Sequence, residues 1–333
     1  MPAPRRLAPL LTLSAAALLL AGCAATSTAS SGADDATAAA ASGYPVTIDN
    51  CGTEVTLDEA PERIVTIKSS TLELLLALGL EDRIVGTAFG DGPVPDAYAD
   101  AASGLEALSD KVPSQEVTLA AEPDLVFAGW ESNLSAEGAG DRETLAKLGV
   151  ATYVAPAACK AEGYMPNPLT FDEVLREFEE AGELFGVRDA AADLVAEQRA
   201  ELDAIEPNDE GLTALWYSSG DDTPYVGAGI GAPQMIMDAA GLENIAAGVE
   251  DTWTSMSWEA IVAANPDVIV LVDAAWNTAE QKIAHLEQNP ATAALPAVQE
   301  QRYLIVDFPA TEAGVRNVGA VASLVEQLGS LEN

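Results

Sequence analysis

Short apolar runs alternate with amphipathic stretches along the chain. Residues 63–67, 84–89, 125–129 and 151–154 read as strands, each a compact apolar run bounded by Gly, Pro or charged positions. Residues 71–78 read as a helix with Leu72, Leu75, Leu76 and Leu78 on its buried side, ended by Gly79. A shorter helix at 142–148 is stopped by Gly149, and residues 90–113, with their Gly, Pro and Asp, read as a loop. In the middle, Thr170 and Glu173 form a capping box ahead of a helix that ends at Gly186. A second helix runs from 188 to 206, before Pro207, and at 1.5 Å per residue it would span about 28 Å. Strands return at 212–218, weakly at 244–247, and at 268–273 and 303–307. A helix at 234–240 starts behind Pro233, and another closes the chain at 314–330. This alternation predicts an α/β protein of two lobes, each a mostly parallel sheet flanked by helices, joined by one long rigid helix.

The pattern also repeats. Ser114-Gln115-Glu116 leads to Pro123-Asp124 and a strand, and Ser257-Trp258-Glu259 leads to Pro266-Asp267 and a strand, at a constant offset of 143. Gly79-Leu80-Glu81-Asp82 is echoed by Gly241-Leu242-Glu243-Asn244. Two similar halves predict a cleft between them, and such clefts bind small molecules. The expected division is an N-terminal lobe at 44–187, the linking helix at 188–206 and a C-terminal lobe at 207–333.

The chain start changes the picture of location. Arg5 and Arg6, the apolar run from Leu7 to Leu20 and the sequence Leu20-Ala21-Gly22-Cys23 read as a secretory leader over residues 1–22 ending in a lipobox. Cys23 would then carry lipid, and residues 23–43, nearly all small or polar, would be a flexible tether. This predicts a lipid-anchored protein on the extracytoplasmic face of the cell membrane. Net charge is −38, and losing Arg5 and Arg6 makes it more negative, which argues against nucleic acid as a partner. With Cys23 acylated, Cys51 and Cys159 remain as a pair in an oxidising compartment and are expected to form a disulfide tying the start of the body to the end of the first lobe, with two free thiols as the alternative.

Candidate chemistry points to binding. A single His excludes a three-His metal site, and no nucleophile or zinc-hydrolase motif is present. No metal and no bound cofactor is expected beyond the lipid on Cys23. Trp130, Tyr217 and Trp276 lie at or just beyond strand carboxyl ends, where open α/β sheets hold their ligands, whereas Trp216 inside a strand reads as core. Lys68, Ser69 and Ser70 follow the first strand, and Lys68, Lys160 and Arg316 are cations on the expected cleft side, either for an anionic ligand or as solvated surface groups. Gly227, Gly229 and Gly231 precede the Pro233 helix and read either as an anion-binding loop or as a bare tight turn.

Taken together, the lipobox, the Arg63 strand, the Gly79-Leu80 turn, the two Glu-to-Pro-Asp units and the central helix resemble substrate-binding lipoproteins of ABC importers, the ferric-siderophore and cobalamin class. The resemblance implies two lobes around a ligand, a monomer, and no enzymatic activity. It further implies that Glu116 and Glu259 dock onto the two subunits of a permease dimer driven by its ATPase. Trp253 matches an aromatic that contacts corrinoid in cobalamin binders. Segments around Lys111–Glu116, Gly129-Trp130-Glu131 and Ala158-Cys159-Lys160 are similar to an actinobacterial subgroup proposed to import a precursor of the deazaflavin coenzyme F-420. The implied ligand is therefore an iron chelate, a corrinoid or a planar anionic deazaflavin. A tethered enzyme using cleft carboxylates and a ligand-free scaffold are the competing functions.

Overall fold

Residues 43–331 are described by a computed structural model; the leader, Cys23 and all but the last residue of the tether lie outside them. The chain opens with a hairpin, β1 (Val46–Asn50) against β2 (Thr53–Leu57), pairing Asn50 with Thr53. Its two-residue turn puts Cys51 and Gly52 at positive φ, 54° and 79°, as a turn matching strand twist requires. Cys51 is bonded to Cys159, with Cα atoms 5.3 Å apart, so the hairpin is tied to the end of the first half.

The first sheet is wholly parallel, in the order β5-β4-β3-β6-β7. Its strands are β3 (Ile64–Ile67), β4 (Ile84–Ala88), β5 (Ala107–Ser109), β6 (Leu125–Ala128) and β7 (Ala151–Val154). Strand order reverses beside β3, between β4 and β6. A crevice opens at such a reversal, at the strand carboxyl ends. The stretch read as a loop at 90–113 contains a short helix, Ala99–Ala102, and the edge strand β5. Three residues are too few to show a period, which is why β5 is invisible in the sequence.

The second sheet is mostly parallel, as expected, but carries an antiparallel addition at one edge. It consists of β8 (Leu212–Ser219), β9 (Tyr225–Gly227), β10 (Leu242–Asn244), β11 (Trp253–Ser255), β12 (Val268–Asp273) and β13 (Tyr303–Asp307). Strands β10, β8, β12 and β13 are parallel, while β9 and β11 form an antiparallel flap on the last residues of β8. The weak strand expected at 244–247 lies earlier, at β10. Asn244 ends it, because its side-chain oxygen accepts the Ala246 N–H and turns the chain.

Between the sheets, helix Phe171–Leu184 starts at the Thr170–Glu173 capping box, and helix Arg188–Asp203 packs back on it. Gly182 permits the approach, since a Cβ there would lie 2.3 Å from that of Ala191. The second helix ends at Asp203 rather than 206. Ala204 and Ile205 bond three residues back, which tightens the chain ahead of Pro207. The closing helix, Asn317–Leu331, packs on helix Ala232–Ala240. One apolar cluster is continuous from Leu75 on the helix Ser69–Ala77 and Phe127 on the first sheet to Trp216 and Val270 on the second. Among the described residues no helix is long and apolar enough to cross a membrane.

The sequence repeat has a structural cause. Ser114 accepts the Val117 N–H and Ser257 the Ala260 N–H, each capping a short helix, Gln115–Ala120 or Trp258–Ala264. Each helix is followed by a residue at positive φ, Glu122 or Asn265, then by Pro-Asp. Asp124 accepts the N–H groups of Glu62 and Arg63, and Asp267 accepts the Thr213 N–H and hydroxyl. Thus each Asp pins the entry of its sheet's central strand. These bonds hold the Asp267 carboxyl below its ordinary range, so its contribution exists above about pH 4 and fades as pH falls through the folded value. Asp267→Ala should cost about 1 kcal/mol, because the carboxylate is exposed. A urea midpoint that does not move at pH 7, or a deficit that persists undiminished at pH 2.5, would contradict this role.

Candidate functional site

A cavity of roughly 420 Å3 lies between the carboxyl ends of the two sheets. From the first half come Ser70, Trp130, Glu131 and Lys160; from the second come Tyr225, Thr252, Trp253, Trp276, Phe308 and Glu312. Its surface is mainly apolar, and five aromatic rings, those of Trp130, Tyr225, Trp253, Trp276 and Phe308, line it. Trp253 and Tyr225 stack nearly parallel across the antiparallel β9–β11 pair, with ring centroids 5.9 Å apart and 13° between planes. Trp276, 59% exposed, meets Phe308 edge-on at the lip. A Trp this open is a platform waiting for a partner surface. Beneath it Lys282 is buried and donates to the carbonyls of Val272 and Asn277, which fixes the turn bearing Trp276; burial lowers its pKa to about 8.

Trp130 bridges the halves. Its indole N–H donates to Glu312 at 2.9 Å, and the Lys68 ammonium lies 3.6 Å from its ring centroid. Lys68 is itself buried, ion-paired with Asp91 and flanked by Phe89 and Phe308. On the other wall Lys160 donates to Thr252 and lies 3.5 Å from Asp251. Burial raises the pKa of Glu312, opposed by Lys68 and by the Trp130 hydrogen bond.

Of the residues read as ligand contacts, Ser70, Trp130, Trp253 and Trp276 meet at this cavity, and six do not. Lys68 lies beneath the Trp130 ring, engaged with Asp91, and Ser69 is buried beside it with its hydroxyl on the Asp91 N–H. Tyr217 faces the opposite side of β8 from Trp216, packed edge-on against Trp258, its hydroxyl on the Gly220 carbonyl. Arg316 grips Glu73 through two nitrogens, at 2.7 and 2.5 Å, and also donates to the Pro93 carbonyl. Gly227 and Gly229 are glycines for space: a Cβ would lie 2.4 Å from Pro233 at the first and 2.1 Å from the Ala247 carbonyl at the second. The N–H groups of Ala228, Gly229 and Ile230 all donate to carbonyls of residues 249–252, so this loop is a packed turn rather than an anion cradle.

Glu312, Tyr225 and Phe308 escaped the sequence reading. Phe308 directly follows β13 and Glu312 ends the single turn behind it, so the strand-end rule applied there would have found Phe308 and pointed to the loop that bears Glu312. Tyr225 belongs to a strand too short to read. Among the described residues no group of three His, Cys, Asp or Glu side chains is arranged to hold a metal ion. Glu116 and Glu259 are exposed, each in the first turn of its Ser-capped helix.

Two sheets that face each other across a cleft lined by aromatic side chains have the arrangement of a solute-binding protein. The chain belongs to the periplasmic binding protein family, whose model matches residues 64–310. It is 28% identical over 293 residues to an ABC transporter substrate-binding lipoprotein of Bacillus subtilis, covering 86% of each chain. It is 32% identical over 246 residues to a cobalamin-binding protein of Halobacterium salinarum, covering 69% of this chain and 59% of that protein. Among solved structures, an ABC-type Fe3+-hydroxamate transport system protein from Saccharomonospora viridis superposes with a TM-score of 0.73 at 28% identity, over 86% of this chain and 99% of that one.

Proposed function

We propose that this protein is the extracytoplasmic, lipid-anchored receptor of an ABC importer, a monomer that captures a metal chelate of the corrinoid or ferric-hydroxamate type. In this reading residues 44–187 and 207–333 are the two lobes, the helix beginning at Arg188 is their rigid link, Cys23 holds the anchor, and Glu116 and Glu259 meet the permease dimer. The observation that carries it is the aromatic cavity at facing strand carboxyl ends, with the Trp253–Tyr225 stack as a flat platform. The names of the haloarchaeal relative and of the Saccharomonospora structure support the ligand class. A polyanionic deazaflavin precursor has less support, because Lys68, Lys160 and Arg316 are each matched to a carboxylate.

The test is mass spectrometry and absorbance of the purified protein with whatever it retains. One equivalent of a corrin or iron–chelate chromophore, released unchanged, is the expected result; chemical conversion of that ligand would favour the tethered enzyme. Trp253→Ala should weaken capture by about 1 kcal/mol or more through loss of stacking. Unaltered affinity in that variant would remove the aromatic platform from the argument.

A further inference from the structure

We propose that the cleft selects neutral or cationic ligands over polyanionic ones, with the Glu312 carboxylate as the group that reads a hydrogen-bond donor or positive charge on the ligand. This rests on the cavity between the sheets being the ligand site.

Three charged side chains line the cavity: Glu131, Lys160 and Glu312. The one cation is already committed, its ammonium between Asp251 and the Thr252 hydroxyl. Glu131 accepts the backbone N–H of Lys160, and among the described residues no Lys or Arg nitrogen comes within 4 Å of either Glu131 or Glu312. Deeper down, Lys68 and Arg316 are neutralised by Asp91 and Glu73. The wall is therefore net negative. Its aromatic faces carry the same sign, since π-faces attract cations and repel anions.

Glu312 is the better placed of the two carboxylates. One of its oxygens is held by the Trp130 N–H, and the other has no protein partner among the described residues and is open to the cavity. Trp130 is fixed in turn by the Lys68 ammonium on its ring, so the free oxygen is presented in one orientation. Burial disfavours the charged form of Glu312, and a donor or cation on the ligand would relieve that cost. A phosphate or carboxylate on the ligand would meet a like charge that Lys68 and Lys160 offset only in part.

The experiment has one arm that needs no ligand. Tryptophan fluorescence of the purified mature chain is quenched with cesium and with iodide at matched ionic strength, for wild type, Glu312→Gln, Glu131→Gln and Glu326→Gln. Glu326 is an exposed carboxylate on the closing helix and reports the general surface charge. The cesium-to-iodide quenching ratio should fall by about twofold in Glu312→Gln, less in Glu131→Gln, and stay unchanged in Glu326→Gln. The second arm compares cobinamide, whose corrin side chains are amides, with cobyrinic acid, where the same positions are carboxylates. Wild type should bind cobyrinic acid at least about tenfold more weakly, and Glu312→Gln should narrow the gap. An unchanged quenching ratio in Glu312→Gln, or equal affinity for the two corrinoids, overturns the proposal. A shifted ratio with neither corrinoid bound upholds the charge selectivity and instead removes the corrinoid from the proposed ligand class.

Discussion

Arg316→Ala should destabilise the protein by about 3–5 kcal/mol, the scale for stripping one partner from a buried ion pair. Glu73 is buried in the helix Ser69–Ala77, and both its oxygens are taken by the Arg316 guanidinium. Burial already raises the Glu73 pKa, and Arg316 is the main group pulling it down. Without the guanidinium the carboxyl would take up a proton to fold. A folded-state pKa above the unfolded value means that the folded state binds more protons, so stability falls as pH rises through the window above about 4.5. The deficit of Arg316→Ala should thus be largest at neutral and alkaline pH and shrink towards pH 4.5. Adding Glu73→Gln, which removes the orphaned charge, should recover much of the loss. A urea midpoint in Arg316→Ala within about 1 kcal/mol of wild type at pH 7, or a deficit independent of pH, would show that the pair does not bear on folding.

This pair also shows where sequence reading stops. Arg316 and Lys68 stand beside strand ends, as cleft cations should, but their partners are Glu73 and Asp91, which local spacing does not connect to them. Charge near a strand end is visible in one sequence; its neutralisation by a distant carboxylate is a tertiary fact. The same holds for Gly227 and Gly229, whose pattern resembles an anion loop but whose N–H groups are consumed by residues 249–252. What could be read were features with a local mechanism. Ser114 and Ser257 cap helices, Thr170 and Glu173 box one, and the two Pro-Asp turns enter strands, so all of these lie where chain chemistry puts them. Trp130 and Trp276 were legible as cleft residues because strand ends and aromatic rings are both written in sequence, whereas Trp253 was legible only through the family resemblance. The antiparallel flap of β9 and β11 was not, for three-residue strands carry no period.

Replacing both Glu116 and Glu259 by Gln should abolish ligand uptake by cells while leaving the purified protein's affinity for its ligand intact. In each half a short helix descends from the strand carboxyl ends to the start of the next strand, so its first turn sits on the edge where the cleft opens. Both acids occupy such first turns, held by Ser caps. Both are exposed, and among the described residues neither carboxylate has an ion-pair or hydrogen-bond partner. An exposed, unpartnered acid at matching points of two halves suits recognition by an Arg on each of two permease subunits, where charge-assisted bidentate bonds fix orientation. Truncating one partner of a charge pair that becomes buried at an interface costs about 2–5 kcal/mol. Two sites joined by a rigid body reinforce each other, so each single variant should retain partial uptake and the double variant should fall below detection. Gln keeps the side-chain size and the helix intact, which leaves charge as the variable. Uptake at the wild-type rate in the double variant would remove docking from both residues, and a fall in soluble ligand affinity would place them with the cleft instead.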